Sequence, residues 1–255
     1  MEYFGPCNIT IPPLSVAVVN NAAVHINGTL YSCVSKNSRA CYKYNLVANC
    51  GTWEPFTTIA GFVISSPEFS PPAVAFEDFF WIFDNKIRQV PINGSSVTSF
   101  DWQYGMSGCA VGNGSHTVMI QLANSSVLMN SDPTTPTIWT IVAELKILMA
   151  YGGCLWHGNT IYVTGGVDDE LYAISTTQLI NTDTFEVTLG APLPIVVYLH
   201  GMGVIDGNPA VFGGRMGGDC LSTIYVYDNS TNTWSLSARS LTQAVAEFGS
   251  VTYFN

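Results

Sequence analysis

A chain of 255 residues must do chemistry with nucleophiles, bases, metal ligands or clustered charge, and this one offers few of them. Its four histidines, His25, His116, His157 and His200, form no HxxxH or HxH pair, so no local metal-binding spacing is present. His116 and His157 stand beside turn sequences and read as solvent-facing, whereas His25 and His200 lie in apolar stretches and read as packed. No GxSxG surrounds a serine, which removes the nucleophile turn of the common hydrolases. Seven cysteines lack paired CxxC spacing and do not indicate zinc. One acidic cluster remains: Asp168, Asp169 and Glu170 in "GGVDDELY". Three carboxylates on a loop could hold calcium, but no EF-hand spacing accompanies them, and a solvated loop is the reading preferred. No catalytic residue, cofactor or metal is expected.

The elements that would position such residues must be built from a chain with little charge. Apolar residues make up 47% and charged residues 10%, below the usual quarter. That balance suits strands buried on both faces better than long solvated helices. Net charge is −10 with eight Lys and Arg and no basic cluster, so phosphate backbones would be repelled and nucleic acid is not expected as a partner. Glu144 and Lys146 interrupt the best apolar window, and no membrane span is expected. The N-terminus lacks a basic start followed by an apolar core, so no secretory leader is read there.

Self-similarity supplies the architecture. Trp53, Trp102, Trp139 and Trp234 lie 49, 37 and 95 residues apart, and Phe185 stands 49 before Trp234. The doublets Gly165-Gly166 and Gly213-Gly214 are 48 apart. Each unit reads as four short strands, a to d. In the fifth, "YLHGMGVID", "PAVFGG", "STIYVYD" and "TWSLS" follow one another. In the fourth they are "AYGGCLWH", "TIYVTGG", "LYAIS" and "TFEVTL". Asn27-Gly28, Asn113-Gly114 and Asp206-Gly207 supply the positive φ of tight a–b hairpins. Sheets this small cannot bury both faces alone, but several packed radially can. Trp234 would then begin the outer strand and fill the wedge between two sheets, against Tyr225 and Tyr227.

The segments "TIYVTGG…LYAIS" and "AVFGG…IYVYDNSTNTW" resemble kelch repeats. The resemblance implies an all-β, kelch-type β-propeller of four-stranded antiparallel blades. Five repeats are expected at 14–57, 58–103, 104–144, 145–191 and 192–240. Residues 1–13 with 241–255 would form a composite or incomplete sixth blade, all within a single domain 1–255. Among kelch-like proteins are copper oxidases and sugar-acid epimerases. A carbohydrate oxidase or epimerase is therefore one alternative, and a fragment of a cytosolic kelch adaptor is another.

Strand direction divides the loops between two faces. Sequons at Asn8, Asn27, Asn93, Asn113 and Asn229 map to the a–b and c–d turns, and only Asn124 maps to the other face. That other, b–c/d–a face carries Lys36, Arg39, Asp168, Asp169, Glu170, Arg215, Met216 and Asp219. Mixed charge with a methionine suits a contact surface. Strand register brings Cys33 to Cys41, Cys109 to Cys154 and Cys7 to Cys50 as candidate disulfides, leaving Cys220 over. The expectation is a non-enzymatic, monomeric scaffold binding a protein or glycan on the b–c/d–a face. It would be secreted, with a cytoplasmic location as the alternative.

Overall fold

The computed structural model describes residues 22–35, 38–46, 52–62, 71–102, 108–121 and 125–246. They fall into an N-terminal unit, up to Met106, and a C-terminal unit, Ser107–Ala246. Every regular element among them is a strand. The N-terminal unit holds two sheets. The first is β1 (Ala22–Ile26), β2 (Thr29–Ser35), β3 (Ser38–Asn45) and β4 (Glu54–Thr58); the second is β5 (Ala73–Ala75), β6 (Phe79–Phe83), β7 (Lys86–Pro91) and β8 (Thr98–Asp101). The C-terminal unit holds three. They are β9 (Gly108–Gly112), β10 (Thr117–Gln121), β11 (Ser126–Asn130) and β12 (Thr140–Glu144); then β13 (Gly153–His157), β14 (Thr160–Thr164), β15 (Thr177–Asn181) and β16 (Val187–Leu189); and last β17 (Gly201–Ile205), β18 (Asn208–Phe212), β19 (Arg215–Met216), β20 (Asp219–Asp228) and β21 (Thr233–Val245). Each sheet is an antiparallel meander in chain order, with the short β19 folded onto the start of β20.

The hairpins follow turn chemistry. Asn27 and Gly28 both take positive φ, at 48° and 73°, and so do Asp206 and Gly207, at 50° and 80°. Two such residues make the two-residue turn that matches strand twist. Asn113-Gly114 behaves differently. There only Gly114 is left-handed, at 89°, and Asn113 Oδ1 instead accepts the N–H groups of Ser115 and His116 at 3.0 and 2.8 Å. The side chain closes a longer turn in place of the backbone.

The glycine doublets recur almost to the degree: φ is 57° and 94° at Gly165-Gly166, and 56° and 94° at Gly213-Gly214. Space is the second reason for glycine. A Cβ on Gly166 would stand 2.3 Å from the Ala150 carbonyl oxygen, and one on Gly165 would stand 2.4 Å from that of Val197. The doublet ends strand b and lets chain on both sides approach to hydrogen-bond distance. Gly166 N–H donates to Val197 O at 2.7 Å, and Ala150 and Val167 exchange two bonds.

Packing between neighbouring sheets follows from the alternation of apolar positions. In the N-terminal unit, Val24, Tyr31, Cys33, Ile59, Phe80, Ile82 and Val90 share one core. Arg88 on β7 is buried there. Its guanidinium bonds Asp84 through Nε and Nη2 at 2.8–3.1 Å, and its remaining donors reach Ala60 O, Gly61 O and Ser99 Oγ. All five N–H groups are used, which is what a buried guanidinium requires. In the C-terminal unit, Tyr162, Leu193, Val197, Met202, Tyr227 and Trp234 make a core between the fourth and fifth sheets.

Trp234 fills the wedge as expected. Its ring lies 4.9 Å from Tyr227, its strand-register partner, and Tyr225 packs on the same core. Its Nε1–H donates to Thr177 Oγ1 and Ala191 O of the preceding sheet, both at 3.1 Å. Trp53 repeats the arrangement against Tyr44, 5.5 Å away, and Trp139 is buried just before β12. Trp102 does not belong to this set. It follows β8, packs against Phe83, and leaves the wedge position before that strand to Val97.

The fourth sheet also departs from expectation. Its strand c is β15, "TQLIN", and not "LYAIS". Asp168 Oδ1 accepts the N–H groups of Glu170 and Tyr172, and Leu171 turns to a φ of 66°. These local bonds stop extension before Ala173. The expected closing blade at 1–13 lies outside the described residues, as do 247–255. Residues 241–245 continue β21 beside β20, past the expected end of the fifth repeat at 240.

Candidate functional site

The b–c loops and the incoming connectors of the fourth and fifth sheets form one hydrogen-bonded surface. The connector 193–199 is its spine. Leu193 and Val197 donate backbone N–H to Ser175 O and Ile174 O, and Gly166 donates to Val197 O. On the opposite side Tyr198 and Arg215 exchange backbone bonds at 3.1 and 2.8 Å, and the Tyr198 hydroxyl donates to Gly217 O at 2.7 Å. The acidic loop of one sheet and the β19–β20 hairpin of the next are therefore held to a common strip of backbone.

That strip presents apolar side chains to solvent. Leu171 is 72% exposed, Tyr172 67%, Met216 44% and Val196 38%, so half of the large exposed hydrophobics among the described residues gather here. Asp169, Glu170 and Asp219 are exposed beside them. Asp168 acts within the loop instead, its carboxylate committed to holding the turn. Among the described residues no three His, Cys, Asp or Glu side chains converge as a metal-ligand set.

Beneath the strip lies His200, 7% exposed, immediately before β17. Burial lowers its pKa from 6.5 to about 4, so the ring is neutral. Its Nε2 is 2.9 Å from Thr164 Oγ1, and its Nδ1 has no hydrogen-bond partner. Glycines make room for the ring. A Cβ on Gly153, Gly165 or Gly214 would stand 2.7–2.8 Å from one of its atoms. His25, on β1, is also held below the usual histidine range by burial. His116 and His157 sit at hairpin ends.

The other expected residues are placed as follows. Arg215 is half-buried and Met216 exposed in β19. Arg39 is exposed at the b–c end of the first sheet, in the N-terminal unit; Lys36 lies outside the described residues. Asn27, Asn93, Asn113 and Asn229 are all exposed on a–b or c–d turns of their own sheets. Asn229 also accepts a 2.7 Å hydrogen bond from the Tyr162 hydroxyl. Asn8 and Asn124 lie outside the described residues. Cys33 and Cys41 are joined across β2 and β3, and Cys109 and Cys154 join β9 to β13. Cys7 and Cys50 lie outside the described residues, and Cys220 is a free, exposed thiol. No helix among the described residues is long and apolar enough to cross a membrane.

Leu171, Tyr172, Val196 and Tyr198 carry no signal in the sequence that marks them as contact residues. "LY" after an acidic run reads as the start of a strand. Asp at the head of the loop, able to bond N–H groups further along, was the available sign that it would not be one.

Comparison with known proteins agrees with this architecture. Residues 198–239 match the Kelch motif. A solved structure, that of YjhT, superposes with a TM-score of 0.82 at 14% identity, over 94% of this chain and 89% of that one. No curated protein matches the sequence. The fold is a β-propeller with kelch-type blades.

Proposed function

We propose that the protein is a secreted, non-enzymatic binding scaffold that docks a protein partner on the b–c/d–a end of its fourth and fifth blades. One observation carries the reading: Leu171, Tyr172, Val196 and Met216 are solvent-exposed on the 193–199 connector and on the two loops hydrogen-bonded to it. Apolar side chains left exposed on elements bonded to one another are costly to leave bare, and such surfaces mark interaction sites. Tyrosine and methionine are enriched in such contacts. Asp169, Glu170 and Asp219 at the rim favour a partner with basic residues beside apolar ones. Two disulfides support an oxidising compartment, where such cross-links persist.

The test uses wild type and a Leu171→Asn/Tyr172→Ser variant against a panel of cell-surface and secreted proteins and glycans, with turnover on a sugar panel measured alongside. Asparagine tolerates the left-handed backbone at 171, so the fold is retained. Binding of a basic protein ligand that weakens about tenfold or more in the variant, a loss of roughly 1.4 kcal/mol, supports the site. Binding that is indifferent to the change refutes the site. Turnover of a sugar refutes the non-enzymatic reading and favours an oxidase or epimerase.

A further inference from the structure

The N-terminal unit contains an open cleft of about 520 Å³ between the outer strand of its first sheet and the c–d turn of its second. Its walls are Thr57, Thr58 and Ala60 on one side and Gly94, Ser95, Ser96, Val97 and Ser99 on the other. The volume is that of a small-molecule site, yet the lining is neither charged nor aromatic. Five of the eight wall residues carry hydroxyls. The nearby guanidinium of Arg88 offers nothing outward, since all its donors are spent inside the protein. One of them bonds Ser99 Oγ at 3.0 Å, so that hydroxyl accepts from beneath and keeps its proton for a ligand.

A wall of hydroxyls, each able to donate and accept, matches a polyol. A polyol source adjoins it. Asn93, Gly94 and Ser95 form a sequon, Asn93 is exposed, and the next residues along the chain are the wall itself. Asn93 Oδ1 accepts the Ser95 N–H at 2.9 Å, which fixes the amide against the lip of the cleft. Gly94, at a φ of 76°, has no side chain to obstruct the way in, and a Cβ there would meet only the Phe56 ring, at 3.8 Å.

We infer that Asn93 is N-glycosylated and that the first sugars of its glycan lie in the Thr57–Ser99 cleft, hydrogen-bonded to its hydroxyls. The attachment is the usual one. The Asn93 amide nitrogen bonds to the anomeric carbon of the transferred oligosaccharide as the anomeric C–O bond breaks. The lipid pyrophosphate carrier of the secretory pathway leaves with that bond's electron pair, and the proton given up by the amide ends on the carrier through the transferase's base. This inference rests on the secretory reading above.

The full chain, expressed behind a leader in a glycosylating eukaryotic host, is digested with a peptide N-glycosidase in its native and denatured states. Release at Asn93, Asn27 and Asn113 is followed by glycopeptide mass spectrometry. The expected result is occupancy at Asn93 and native release about tenfold slower than at Asn27, a ratio equivalent to about 1.4 kcal/mol. The rates should become equal on denaturation. Thr57→Val with Ser96→Val should bring the native rate at Asn93 up towards that at Asn27. Should the fold not tolerate that pair, the wild-type native-to-denatured ratio still decides. Occupied sites released at equal rates overturn the cleft, as does an empty Asn93 beside an occupied Asn27 or Asn113. Empty sequons throughout overturn the secretory reading as well.

Discussion

Acidification from pH 7.5 to 5 is expected to weaken this protein, with the buried His200 as one identifiable contributor. The folded protein holds this ring neutral, with a pKa of about 4, because it is buried and only its Nε2 has a partner. In the unfolded chain it takes up a proton near 6.5. Between those values the unfolded state binds more protons, so stability falls as the pH falls. His200 thus costs nothing above about pH 7. Linkage gives a loss of about 2 kcal/mol at pH 5, rising to about 3 kcal/mol at pH 4. Carboxylates titrate in the same range, so the wild-type profile alone is not decisive. Urea midpoints, read by tryptophan fluorescence at pH 7.5, 6, 5 and 4, should therefore be compared with those of His200→Gln, which keeps a group that can bond Thr164. Wild type should lose about 2 kcal/mol more than the variant on going to pH 5. Parallel profiles would refute the reasoning, and so would an imidazole NMR titration of His200 centred near 6.5.

Gly166→Ala should lose about 3 kcal/mol or more, since a Cβ there meets a carbonyl oxygen at 2.3 Å on a left-handed backbone. Gly217→Ala, also left-handed but with open space around it, should lose only about 1 kcal/mol, and thermal unfolding of the two distinguishes crowding from φ. Arg88→Met removes the counter-charge of the buried Asp84 carboxylate and should cost about 3–5 kcal/mol by denaturant unfolding. Lys86→Met, which removes an exposed ion pair with Asp101, should leave the midpoint unchanged.

Much of the fold was legible because strands and turns obey local rules. The doublet at Gly213-Gly214, the tyrosines of β20 and Trp234 each have a spacing that follows from the pleat, and their meeting is a matter of register. Cysteines facing one another across β2 and β3 follow the same logic. The misreadings arose where one side chain decided the backbone. "LYAIS" alternates as a strand should, and only the Asp168 carboxylate, bonding two N–H groups ahead of it, diverts it into a protruding loop. Trp102 has the repeat's spacing but sits at the wrong end of β8, which already begins at Thr98, five residues before the position the spacing implies for its start. The contact strip was hidden for a related reason. Its spine is a connector without periodicity, and backbone bonds such as those of Tyr198 with Arg215 leave no mark in residue type.

The bond between Cys109 and Cys154 has a mechanical corollary. It ties the first strands of two successive blades and encloses 45 positions of chain. If the molecule were stretched from its ends, that enclosed length, about 150 Å at roughly 3.4 Å per extended residue, would be withheld from the pull. The third blade would stay hidden from the tension until a reductant cut the bond. Under shear this half of the chain would behave as a tether with a locked drawer.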